Sequence, residues 1–257
     1  MMSNQPKINA EMIADCVQHF RASKPHVHCI TNGVAQNFTA NVLLATGATP
    51  SMTVSVAEVA SFVEMADALL INLGTLDPER NRSVHIAAKT ANILEKPWAV
   101  DPVFVQASPS RLELARFLLD LKPSLVRCNL AEGRALFDDE LELKNLSKLS
   151  SNMSVALAIT GREDLVQVSH RNQKILNGHP LMDRVTTMGC ALTAIIVGFM
   201  SVEEDPVLAI TSSLVLFGLS GEVAGKKSQG PGSFALSFLD ALHNLDSDQI
   251  VQGAKFK

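Results

Sequence analysis

Charge is scarce in this 257-residue chain: Asp, Glu, Lys and Arg make up 19% of it, against roughly a quarter in ordinary soluble domains. Such a shortage fits a surface partly covered by partner subunits. The 22 basic and 26 acidic side chains leave a net charge of −4. With no basic excess to hold a nucleic acid or an anionic membrane, neither is an expected partner. No apolar run reaches the roughly 18 residues that span a bilayer. The longest candidate, 191–202, ends in Glu203, Glu204 and Asp205. The first dozen residues lack the apolar stretch of a secretory signal. Cysteines stand only at 16, 29, 128 and 190, with no CxxC and no zinc spacing, and they are too few for a disulfide framework. The expected compartment is the reducing cytoplasm. Familiar nucleotide and nucleophile signatures are missing too: no G-x-x-x-x-G-K-[ST], no G-x-G-x-x-G and no G-x-S-x-G.

Hydrophobic residues are plentiful, at 47%, enough for a sizeable core. The length admits one large α/β domain or two small ones; no linker-like stretch interrupts 1–257, so one domain is expected. Residues 9–22 read as a helix with Met12, Ile13, Cys16, Val17 and Phe20 on one face. Helices are also expected over 37–46, stopped by Gly47, from Asp77-Pro78, from Ser108-Pro109, and after Asn129 with Glu132 as its cap partner. Ser55 with Glu58 reads as another capping box. Strands are expected at 27–30, 49–54, 68–73, 98–100, 125–126 and 155–159. The run ALLINL (68–73) is continuous, as in a strand buried on both faces. Residues 165–168 and 174–176 read as a hairpin around Arg171-Asn172. After Cys190 three helices are expected, near 191–201, 206–226 and 233–244. This alternation predicts a mostly parallel central sheet with helices on both faces and an antiparallel edge hairpin.

Ligands of such sheets bind beyond the carboxyl ends of the strands. Those ends read Thr31-Asn32, Ser51-Met52, Asn72-Leu73-Gly74-Thr75, Asp101-Pro102, Arg127-Cys128-Asn129 with Glu132, and Thr160-Gly161. Asp101 and Glu132 are candidate Mg²⁺ carboxylates, because Mg²⁺ needs only one or two when phosphates complete its shell. Asp101 could equally open a turn, and Glu132 could simply cap a helix. Cys190 lies at the start of an apolar helix, where the dipole favours anions and a thiolate; it could accept an alcohol's proton, or be a small buried hydrophobe. His26 and His28 form an H-x-H without a third metal ligand, more often a structural pair. The run Asp138-Asp139-Glu140 reads as a solvated loop.

Several segments in order resemble the hydroxyethylthiazole kinase family of the ribokinase-like superfamily. They are VHCITN (27–32) with NFTAN (37–41), GATPSM (47–52), NLGTL (72–76), DPVF (101–104), RCNLAE (127–132), ITG (159–161), NGHPLM (177–182), GCALTA (189–194) and GPGSF (230–234). The resemblance implies a three-layer α/β/α sandwich. It implies transfer of the γ-phosphoryl of ATP to the hydroxyl of 4-methyl-5-(2-hydroxyethyl)thiazole, a step of thiamine biosynthesis. Cys190 would stand where most ribokinase-like kinases have a catalytic aspartate. Met52, Asn32, Gly74 and Thr187 would contact the thiazole, Arg127 and Thr160 would contact ATP, and Asp101 and Glu132 would organise Mg²⁺. The family forms homotrimers with the thiazole site at a subunit junction.

Four positions depart from the pattern. Thr187-Met188 stands where the family reads Gly-Thr before Gly-Cys, Cys128 stands where it has glycine, and Gly33 replaces a larger residue. A glycine at 187 would let the backbone approach substrate closely, whereas threonine is β-branched. A hydroxymethylpyrimidine-type kinase, a nucleotide-dependent lyase acting on damaged nicotinamide cofactors, and a catalytically weakened nucleotide- or thiazole-binding protein are the competing readings. The lyase would be expected to keep an aspartate at 190.

Overall fold

The computed structural model describes residues 7–137 and 145–257. The acidic run 138–140 lies outside the described residues. Helix α1 (Ala10–Ser23) comes first, capped by Asn9, whose Oδ1 accepts from the Met12 amide at 2.8 Å. Then follow β1 (His26–Ile30), α2 (Gln36–Thr46), β2 (Thr49–Ser51), α3 (Val59–Met65), β3 (Ala68–Asn72), α4 (Pro78–Ile93), β4 (Trp98–Asp101), α5 (Pro109–Asp120), β5 (Leu125–Asn129) and α6 (Leu130–Phe137). The remainder comprises α7 (Leu146–Met153), β6 (Ala156–Thr160), β7 (Asp164–Val168), β8 (Arg171–Ile175), α8 (Met188–Met200), α9 (Pro206–Lys227), α10 (Pro231–Asn244) and α11 (Ser247–Gly253).

The strands form one sheet in the order β2-β1-β3-β4-β5-β6-β7-β8. Pairing is parallel from β2 through β6 and antiparallel across β6-β7-β8. Because side chains alternate along a strand, each central strand feeds two cores. Val27, Cys29, Leu70, Ala99 and Leu125 enter a core covered by α1, α2 and α8 to α11. Ile30, Leu69, Ile71, Val100 and Val126 enter the other, under α3 to α7. The result is the expected three-layer α/β/α sandwich with its antiparallel edge hairpin.

Helix α9 is long and apolar enough to cross a membrane, yet 89% of its apolar 18-residue window is buried inside the protein. It packs against α1, α8 and α10, and a helix enclosed on all sides has no polar face to keep. Scanning for unbroken apolar runs passes it over because Thr211, Ser212, Ser213 and Ser220 interrupt it, all of them buried.

Two local expectations are corrected. Ser55 does not start α3: the helix begins at Val59, and Glu58 instead accepts a hydrogen bond from Thr53 Oγ1. The hairpin turns at Ser169-His170, so Arg171 and Asn172 lie inside β8, opposite Val168 and Gln167. Ser169 takes the left-handed conformation the tight turn requires, with φ 50°. Two features had no sequence expectation. Helix α11 carries its own capping box between Asp246 and Gln249. The last residues then run beside β8: Lys174 and Lys257 exchange backbone hydrogen bonds at 2.8 and 2.9 Å, and the Leu176 amide donates to Lys255 O at 2.8 Å.

Candidate active site

From β1 the chain turns outward to β2 and returns on the far side as β3. The carboxyl ends of β1 and β3 therefore flank the switch point where ligands of open α/β sheets bind. Asn32 follows β1 and Asn72 ends β3. Asn32 Nδ2 donates to Asn72 Oδ1 at 3.0 Å, and Asn72 Nδ2 donates to Asp101 Oδ2 at 2.8 Å. The orientations of both amides are fixed by backbone donors: Ala35 N reaches Asn32 Oδ1 and Gly74 N reaches Asn72 Oδ1, each at 3.0 Å. A Cβ at residue 74 would stand 2.9 Å from Asn32 Nδ2, so glycine there makes room for the amide chain.

Asp101, at the end of β4, is completely buried. Thr193 Oγ1 donates to its Oδ2 at 3.2 Å. Its Oδ1 has no hydrogen-bond partner and lies 3.9 Å from Arg127 Nη1. Burial lifts the Asp101 carboxyl to about 6, against the pull of Arg127 and with a push from Glu132.

Cys190, in the first turn of α8, meets the same chain, with Asn32 Nδ2 donating to Sγ at 3.6 Å. The expected thiolate is not what this site favours. Burial, then the charge of Asp101, pushes the thiol up to about 12, against contributions from Asn72, Arg127 and Asn32. Desolvation outweighs the helix dipole here, so Cys190 is a thiol at neutral pH.

Thr187 caps α8 from the left-handed region, at φ 72° and ψ 0°, where glycine is at ease and a β-branched residue is strained. Its Oγ1 is buried without a partner. Two residues on, Gly189 lies under the Arg127 guanidinium, and a Cβ there would fall 2.5 Å from Nη1. Arg127 Nη2 donates to Thr160 Oγ1. Both residues face a cavity of about 770 Å³, also lined by Asn129, Asp164, His179 and Gly189. Asp164 was not singled out from the sequence. Its Oδ1 accepts from Gly161 N at 3.0 Å, and burial lifts its carboxyl to about 6. The Gly-x-x-Asp spacing of a tight turn was the available signal.

The remaining expected residues sit apart from that cavity. Met52 follows β2, half-buried against the first core. Glu132 is a cap: its Oε2 accepts from Asn129 N at 2.9 Å, Asn129 Oδ1 accepts from Glu132 N at 2.9 Å, and its Oε1 takes the Phe104 amide at 3.0 Å. Its charge still reaches Asp101. Among the described residues, no group of three His, Cys, Asp or Glu side chains gathers to hold a metal. Cys128 is buried, with its thiol pushed up to about 12 by desolvation, and Gly33 has open space where a Cβ would point.

Residues 17–248 match the hydroxyethylthiazole kinase family. A hydroxyethylthiazole kinase of Granulibacter bethesdensis is 43% identical over 249 residues, 92% of this chain and 91% of its own. The structure of the hydroxyethylthiazole kinase protein from Pyrococcus horikoshii OT3 aligns with a TM-score of 0.90 at 35% identity, covering 96% of this chain and 98% of that one. A ribokinase-like superfamily protein of Enterococcus faecalis shares the fold at a TM-score of 0.71 and 13% identity, over 93% of this chain and 96% of its own. The chain belongs to the hydroxyethylthiazole kinase family.

Proposed function

We propose that the chain transfers the γ-phosphoryl of ATP to the hydroxyl of 4-methyl-5-(2-hydroxyethyl)thiazole, a step that supplies thiamine biosynthesis. The observation that carries this reading is the hydrogen-bonded path Cys190–Asn32–Asn72–Asp101, which leads from the switch point to the carboxylate facing Arg127. The alcohol lies beside Cys190, and the phosphates lie over Arg127, Thr160 and the start of α8. In the reaction the hydroxyl oxygen bonds to the γ-phosphorus as the bond to ADP breaks. Phosphoryl transfer of this kind needs alignment and charge neutralisation more than a strong base. A thiol held near pKa 12 therefore serves to orient the hydroxyl, and the proton leaves late, onto the transferred group. Arg127 supplies a planar fork for two phosphate oxygens, and Gly189 lets that fork rest against α8.

The residues fit Mg²⁺. Asp101 Oδ1 is a buried carboxylate oxygen with no hydrogen-bond partner, the donor type this cation takes. Glu132, engaged by two backbone amides, would act through bound water. The cation would supply neutralisation of phosphate charge. A trimer is supported by the exposed apolar side chains of Val34, Leu44 and Leu236, the latter two on α2 and α10, which pack on each other. The free cysteines at 16, 29, 128 and 190 and the use of ATP support a cytoplasmic location.

The test is ADP release by pure protein with ATP, Mg²⁺ and a panel of small alcohols, the hydroxymethylpyrimidine among them. Release dependent on the thiazole alcohol, falling by at least 100-fold in Cys190→Ala, is expected. Folded protein that binds ATP or the thiazole by calorimetry without releasing ADP would replace this reading with that of a weakened binding protein.

A further inference from the structure

The rings of His26 and His28 converge on one hydroxyl. His26 Nε2 lies 2.7 Å and His28 Nδ1 2.8 Å from Ser51 Oγ, and His28 Nε2 lies 3.2 Å from Thr53 O. A carbonyl only accepts, so His28 Nε2 bears the proton. His28 is fully buried, and desolvation pulls its pKa down to about 4, so the ring is neutral and Nδ1 is an acceptor. Ser51 therefore donates to His28 Nδ1, so its 2.7 Å contact with His26 needs a proton on His26 Nε2; His26 Nδ1 lies 3.3 Å from Met65 O, which needs one there too, so both contacts are made together only by a doubly protonated His26. The two nitrogens of one buried ring thus hold the side chain of residue 51 and the carbonyl of residue 53, the two neighbours of Met52. The chain between β2 and α3 has no regular structure. Beyond Thr53 it is fastened by the Thr53–Glu58 hydrogen bond and by Ser83 Oγ on Val54 O.

We infer that His28, supported by Ser51 and His26, is a positioning residue that brackets Met52 and sets how tightly the thiazole alcohol binds. The inference rests on the reading of Met52 as a thiazole contact. Its register makes it specific: β1 and β2 are parallel with His28 opposite Ser51, so only a hydroxyl-bearing residue at 51 can link both rings.

Steady-state kinetics on Ser51→Ala, Ser51→Thr, His28→Gln and Met52→Ala test it. Losing one neutral hydrogen bond changes binding by about fivefold. Ser51→Ala and His28→Gln should raise KM for 4-methyl-5-(2-hydroxyethyl)thiazole by about that factor, leaving kcat and the KM for ATP within about twofold. Ser51→Thr, which keeps the hydroxyl, should restore the parent value. If Met52→Ala raises KM while Ser51→Ala and His28→Gln do not, or if the KM for ATP rises in parallel, the inference is overturned and the Met52 reading stands. If Met52→Ala leaves KM unchanged, the Met52 reading falls and takes the inference with it. Nitrogen NMR of the parent protein gives an answer independent of variant folding: His28 must be the neutral Nε2–H tautomer, and an Nδ1–H form would overturn the assignment.

Discussion

Thr187→Gly should make this protein more stable. Thr187 sits at φ 72° with its hydroxyl buried and unpaired. Holding a β-branched residue in the left-handed region costs about 1–3 kcal/mol. An unsatisfied buried hydroxyl adds about 1 kcal/mol or more. Against these, glycine loses about 0.5–1 kcal/mol more to chain entropy on folding. The balance is a gain of about 1–3 kcal/mol, each kcal/mol worth about 2–4 °C in Tm at this chain length. Urea unfolding of the parent, Thr187→Gly and Thr187→Ala reads it directly. Alanine removes the hydroxyl but keeps the Cβ and its strain, so it should recover only the hydroxyl's share. A Thr187→Gly midpoint at or below that of Thr187→Ala would refute the strain argument.

Four further outcomes follow from the same geometry. Gly189→Ala places a Cβ about where the Arg127 guanidinium rests; the protein should fold, with kcat/KM for ATP reduced by about 10- to 100-fold, and unchanged ATP kinetics would argue against Arg127 as the phosphate contact. Because Cys190 titrates near 12 and alkylation needs the thiolate, iodoacetamide at pH 8 should leave it intact by mass spectrometry for an hour; rapid labelling would contradict its burial. His28 has a folded pKa of about 4 against an ordinary 6.5, so between those values the unfolded chain binds more protons. Stability is thus full above about pH 6.5 and falls toward pH 4, by about 3 kcal/mol from this group. His28→Gln should remove that part of the slope in urea titrations at pH 4.5 and 7, and an identical slope in both proteins would refute it. Asp101→Asn keeps a side chain of the same shape but loses the charge facing Arg127; ADP release should fall by at least about 100-fold, and near-parent turnover would remove Asp101 from the site.

The sheet was legible because its strands are short and buried on both faces. Runs such as Ala68–Asn72 have no polar side to blur them, and proline and glycine punctuate the helices between them. The polar strand ends were legible for the same reason: Asn72, Asp101 and Arg127 interrupt apolar runs abruptly. What stayed hidden depends on distance rather than order. Glu58 looks like the partner of Ser55 by spacing, but the side chain of Thr53 reaches it first. The start of α8 advertises a stabilised thiolate, whereas the depth of Cys190 and the nearness of Asp101 are visible only in three dimensions. The linkage of His26, Ser51 and His28 requires the parallel register of two strands separated by a helix.

The hydrogen bonds that join Lys255 and Lys257 to Leu176 and Lys174 have a practical corollary. These few residues shield the margin of the antiparallel hairpin, which would otherwise offer free amides and carbonyls to a neighbouring molecule. Trimming the chain at Ala254 should turn a well-behaved preparation into one prone to self-association. An affinity tag is therefore better attached before Lys7 than after Lys257.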